Sequence, residues 1–143
     1  MIRGFTLIEL LLVIAAASLL VAATLPFGVN FYRIQVLDDA GEGMLTTLRR
    51  AREQARAQKN DDTFGVRFLP GSYVLFQGSS YAARIAAEDE VFTFSPLIST
   101  SGITEIVFAK HTGAPSAAGI LSLSSGSDMR EIDIASWGKI ERK

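Results

Sequence analysis

The feature that most constrains this chain is its beginning. Residues 5–29 are apolar or small apart from Glu9, which carries the only charge among them. A helix of that length rises about 38 Å, against about 30 Å for a bilayer hydrocarbon core. The run therefore predicts a single helix that spans with some tilt. Glu9 does not fit a plain anchor. A carboxylate inside such a run costs about 2.5–3.5 kcal/mol on insertion scales and calls for a partner. A free amino group made by cutting the chain just before Phe5 is one such partner, if a second copy presents it in a dry environment.

Two bland readings compete. A secretory signal peptide would use Arg3 as its basic region and the alanines at 15–17 or 22–23 as its cleavage site, but the run is long and holds an acid. A single-pass anchor carrying an extracytoplasmic binding domain leaves Glu9 unexplained. Arg3 is the only charge before the run, so the N-terminus is expected on the cytoplasmic side and the rest of the chain outside. Pro26 and Gly28 stand near the end of the run, and the proline predicts a helix kink there.

The residues Arg3-Gly4-Phe5-Thr6-Leu7-Ile8-Glu9, followed by apolar sequence, resemble the N-terminal signature of type IV prepilins and type II secretion pseudopilins. The resemblance covers about the first 30 residues. It implies a leader at 1–4, cleavage between Gly4 and Phe5 by a membrane-embedded prepilin peptidase, and N-methylation of Phe5. It also implies that Glu9 is the glutamate used in subunit assembly. Residues 5–29 would form the transmembrane and filament-core helix, and 30–60 its amphipathic continuation. The implied partners are other pilin or pseudopilin subunits, a membrane assembly platform and, before assembly, the lipid bilayer. The implied location is the cytoplasmic membrane, then a filament of the cell envelope.

Beyond the run, the pattern stays helical to about residue 60. Leu37, Met44, Leu48, Ala51 and Ala55 share one stripe, suited to packing on a sheet. Acids at 38, 39 and 42 precede the basic residues from 49 to 59, an order that favours the helix dipole. Gly41 and Gly43 oppose helix by about 1 kcal/mol each. The segment 40–43 is therefore expected to be a break, a linker or a stretch able to unwind.

Past residue 60 the period becomes alternating. Phe64, Val66 and Phe68 face one way, 69–72 reads as a turn, and 73–76 as the returning strand. Further strands are expected at 91–94, 105–109, 120–124, 130–134 and 138–141, separated by Gly, Ser and Pro at 78–80, 99–102, 113–119 and 124–127. Residues 81–90 read equally well as a short helix or an irregular connection. The predicted fold class is α+β, with a long N-terminal helix, transmembrane and then amphipathic, laid on an antiparallel sheet at 61–143. This part resembles the globular domain of H-type minor pseudopilins and their pilus counterparts.

Little chemistry is on offer. With one histidine and no cysteine, zinc-type spacing is unavailable, and no serine sits in a nucleophile elbow beside His111. The consecutive acids at 88–90 lack the spacing of cation-loop ligands. No cofactor, metal site or enzymatic activity is expected. Net charge is −1, which gives no general case for nucleic acid. Some minor pilins of the same globular type bind DNA through a basic C-terminal segment, and Lys139, Arg142 and Lys143 are the residues that would make phosphate contacts here. Arg49, Arg52, Arg56 and Lys59 lie beside the apolar stripe, where long stems cover a core and keep their charges in water. The expected function is that of a structural minor pseudopilin. A DNA-uptake pilin and a membrane-anchored binding domain are the alternatives.

Overall fold

The computed structural model describes residues 5–143; within the first helix the side chains of 23–28 are not described. Helix α1 is Leu7–Arg56. The chain divides into two compact units, Met1–Arg33 and Ile34–Lys143.

In the first unit the described side chains of the helix are all exposed. Leu7, Ile8, Leu10, Leu11, Leu12, Val13 and Ile14 are each more than half exposed, as are Leu19, Leu20 and Val21. The expectation of a membrane-crossing helix is corrected here, because no helix among the described residues is long and apolar enough to cross a membrane. The expected kink at Pro26 falls at positions whose side chains lie outside the described residues.

The second unit folds around the remainder of α1. Its strands are β1 Phe64–Leu69, β2 Ser72–Gln77, β3 Glu90–Thr93, β4 Ser99–Gly102, β5 Glu105–Phe108, β6 Gly119–Ser125, β7 Asp128–Ile134 and β8 Ile140–Arg142. They form two four-stranded sheets, ordered β3-β2-β1-β5 and β4-β6-β7-β8, rather than the single sheet expected. All the strand pairs are antiparallel. The chain passes between the sheets after β3, after β4 and after β5; at the second passage Phe68 N–H donates to Thr104 O at 2.9 Å. Ser99–Gly102 reads as a spacer from its Ser/Gly composition. It becomes a strand because β6 supplies the pairing, Thr100 opposite Leu123 and Gly102 opposite Leu121.

The apolar stripe of α1 faces both sheets. Leu37, Met44, Leu48, Ala51 and Ala55 are fully buried, against Val66, Ile106 and Phe108 of one sheet and Leu121, Leu123, Ile132 and Ile134 of the other. Alternation explains the choice of residues, since in β5 and β7 every second side chain points inward. Pro70 and Gly71 close the β1–β2 hairpin, with Gly71 at φ 76°.

At 40–43 the expected break or linker is also corrected: α1 runs through the segment. Gly43 is there for space. A Cβ on it would lie 2.9 Å from the Tyr73 hydroxyl. That buried tyrosine packs on Phe92, with ring centroids 5.1 Å apart. The cost of a helical glycine is offset by close approach of helix and sheet. The ambiguous segment 81–90 contains one 3-10 turn, Ala86–Glu88. Arg84 pins it, stacking 3.9 Å over the Tyr81 ring and donating to Asp89 at 2.7 Å and to Tyr81 O at 2.8 Å.

Candidate functional site

The structure divides the expected site residues into two groups. Gly4 lies outside the described residues. Phe5 is exposed, and Thr6 stands just ahead of the helix. The Glu9 N–H donates to Thr6 Oγ1 at 3.3 Å and the Leu10 N–H to Thr6 O at 3.2 Å, so Thr6 is the N-cap of α1. Glu9 is then the residue three beyond the cap, in the first turn, where a carboxylate favours the helix dipole. The order Thr6-Leu7-Ile8-Glu9 is the capping-box pattern, a signal readable in the sequence beside the charge argument. Glu9 makes no ion pair among the described residues and stands exposed at the head of an apolar helix. This arrangement holds a carboxylate at a fixed height on a stretch of helix whose described side chains, up to Tyr32, are exposed.

The second group is the basic tail, and here the folded chain changes the reading. Lys139 pairs with Glu141. Arg142 reaches back to α1, to Glu42 at 3.1 Å and Asp38 at 3.4 Å. Lys143 binds Asp133 at 2.9 Å, which holds its ammonium above the usual lysine range. All three cations expected to contact DNA are occupied by carboxylates of the same molecule. Arg142 ties the edge strand β8 to α1, helped by Arg49 Nη2, which donates to Ile140 O at 3.2 Å, and Lys143 ties it to β7.

Arg130 strengthens that tie, donating to Asp38 Oδ1 at 2.8 Å. The Arg130 hydrogen bond is the chief reason the Asp38 carboxyl lies below its ordinary value, with the charges of Arg130 and Arg142 adding and burial opposing. A carboxyl lowered on folding contributes stability above its unfolded value and loses it as pH falls into and through the lowered range. The urea-midpoint difference between the native chain and Arg130→Gln is therefore expected at pH 6 and should shrink below about pH 4. A difference independent of pH would count against the pair.

The remaining chemistry is dispersed. His111 is exposed at φ 68°, and its N–H donates to Ala55 O at 3.2 Å, satisfying a carbonyl at the end of α1. Of the acids at 88–90, Asp89 binds Arg84 and Glu90 binds Arg50, each at 2.7 Å, while Glu88 is exposed. Among the described residues no group of three or more His, Asp and Glu could hold a metal ion. Comparison of the chain with protein-family models, with curated proteins and with solved structures finds no match.

Proposed function

We propose that the protein is a structural pilin-like subunit, a minor pseudopilin or pilus counterpart, cut between Gly4 and Phe5 and assembled through its N-terminal helix. One observation carries this reading: a capped helix whose first turn holds Glu9 and whose described apolar side chains from Leu10 to Tyr32 are exposed. Apolar surface on that scale marks an interaction site. Equivalent helices of neighbouring subunits would cover it in a filament of the cell envelope, and lipid would cover it beforehand. The new Phe5 ammonium of one subunit pairs with Glu9 of another. Buried charges are best attested as devices that set register, which is the role assigned to this pair.

The reading has no catalytic residue in it, and its partners are the prepilin peptidase, other subunits and the assembly platform. Its test is the mass of the native N-terminus together with Glu9→Ala. The mature chain is expected to begin at methylated Phe5, and Glu9→Ala should be trimmed normally but excluded from filaments. Retention of Met1, cleavage beyond residue 20, or normal incorporation of Glu9→Ala would overturn it.

A further inference from the structure

The charges of the globular unit are nearly all spoken for, and the exceptions are segregated. Among the described residues of that unit, Asp39 and Glu88 are acids with no hydrogen bond or ion pair to their side chains, whereas Asp62, also without a basic partner, is held by the Thr63 N–H and Gln77 Nε2. Arg49 and Arg52 are guanidiniums with no carboxylate. Asp128 and Glu131, which form no ion pair, lie within the fields of Arg130 and Lys143. Lys59 rests over the Phe64 ring.

At about 100° per residue, Asp38, Glu42, Arg49 and Arg52 fall on one flank of α1, whereas Asp39, Gly43 and Arg50 fall on another. The contacts agree. The first flank meets β7 and β8 through Arg130, Arg142 and the Ile140 carbonyl. The second meets the neighbourhood of β3, where Glu90 binds Arg50 and Asp39 borders a hollow with Thr93 and Phe94. Glu88 stands two residues before β3. The leftover acids thus lie along the β3 flank and the leftover arginines along the β8 flank.

The arginine flank is also concave and incompletely satisfied. Arg49 and Arg52 line a depression of about 410 Å³ with Lys139 and Ile140, whose two acids, Glu53 and Glu141, are held by Arg56 and Lys139. Arg52 Nε is buried with no hydrogen-bond partner. Its guanidinium lies so close to Gly138 that a Cβ there would fall 2.9 Å from Nε. A guanidinium held in this way is already ordered, so less entropy is lost when it binds a carboxylate.

We propose that these flanks meet between copies, with Arg49 and Arg52 of one molecule receiving the Asp39 and Glu88 flank of the next. Because donor and acceptor lie on different flanks, the contact is heterologous. It repeats head to tail and leads to an open assembly unless the rotation closes. Exposed ion pairs are individually weak. Subunits whose helices already hold them together meet at high effective concentration, where weak pairs select register. The inference rests on the filament reading for that tethering, and it names a contact that the N-terminal helix does not make.

The chain has no cysteine, so an introduced one reports on a single place. Ala87 and Ser136 are exposed beside the two flanks. Full-length Ala87→Cys and Ser136→Cys chains, mixed and oxidised at low salt, are expected to form a covalent dimer severalfold more than either chain alone. Arg49→Glu with Arg52→Glu in the Ser136→Cys chain should lower that yield about threefold to tenfold. Asp39→Arg with Glu88→Arg in the Ala87→Cys chain, changes confined to exposed side chains, should lower it equally, and combining the two reversed chains should restore it. Yields equal in mixed and single samples, or a combination that fails to restore cross-linking, overturn the flank contact. Glu9→Ala separates the two ideas. Cross-linking that follows charge but ignores Glu9 supports the flank contact without the filament, whereas incorporation that follows Glu9 with charge-blind cross-linking leaves the filament and sinks the flank contact.

Discussion

Phe108→Ala is expected to lower the unfolding free energy by about 3–5 kcal/mol. Phe108 is fully buried at the end of β5, opposite Phe64 of β1, and belongs to the core that α1 closes over. The substitution keeps the backbone pairing and removes a ring from a site bounded by both the helix and the sheet. Helix and sheet are each held by their own hydrogen bonds, so the void cannot collapse fully and its lining loses contacts outright. A domain of this size has about 5–15 kcal/mol in all, so the loss is a large share of it. Urea unfolding should show a lower midpoint with an unchanged slope. Val91→Ala, at an exposed position on the edge strand β3, is the control and should change little. Equal effects at the two positions would mean that the ring does not sit in the core described.

Gly102→Ala should cost about 2–4 kcal/mol, from left-handed backbone strain and steric conflict together. Gly102 has φ 92°, and a Cβ on it would lie 2.1 Å from the Ile120 carbonyl oxygen. That oxygen is backbone and already accepts from the Ile103 N–H at 3.3 Å. It can yield only if β4 moves off β6. Gly71→Ala separates the two contributions. Gly71 also has positive φ, 76°, yet nothing lies within 4 Å of its added Cβ, so only the backbone strain of about 1–2 kcal/mol is expected. The two variants compared by thermal or urea unfolding should differ by the steric part alone. Indistinguishable losses would place the conflict at Gly102 in doubt.

Side-chain period was a good guide wherever one element meets one buried layer. The stripe Leu37, Met44, Leu48, Ala51 and Ala55 is buried, and the alternation at Phe64, Val66 and Phe68 marks β1. The turn at Pro70 and Gly71 is local chemistry, and it sits where its residues direct. The Thr6–Glu9 cap was equally local, though the charge of Glu9 in an apolar run draws attention away from its distance to Thr6. Period failed at β4. Its polar side chains carry no inward face, and only the partner strand β6 makes it a strand.

Glycine and arginine show the limit most clearly. Gly43 reads as a helix breaker until Tyr73 occupies the space a methyl would take. Arg142 and Lys143 read as free cations until β8 comes to lie beside α1 and β7, giving each a carboxylate. Arg142 and Glu42 are 100 residues apart along the chain.

What the amino-acid order determined by itself were the short-range properties: where the helix begins, which of its faces is apolar, where the chain turns, and that an acid stands at the head of an apolar run. Only the tertiary structure decided that the strands divide into two sheets, that the tail is neutralised, and that the unpaired acids and arginines lie on separate flanks of the helix. Periodicity and capping act over a few residues, whereas charge pairing and sheet membership depend on which distant segments become neighbours, and packing settles that for the whole chain at once.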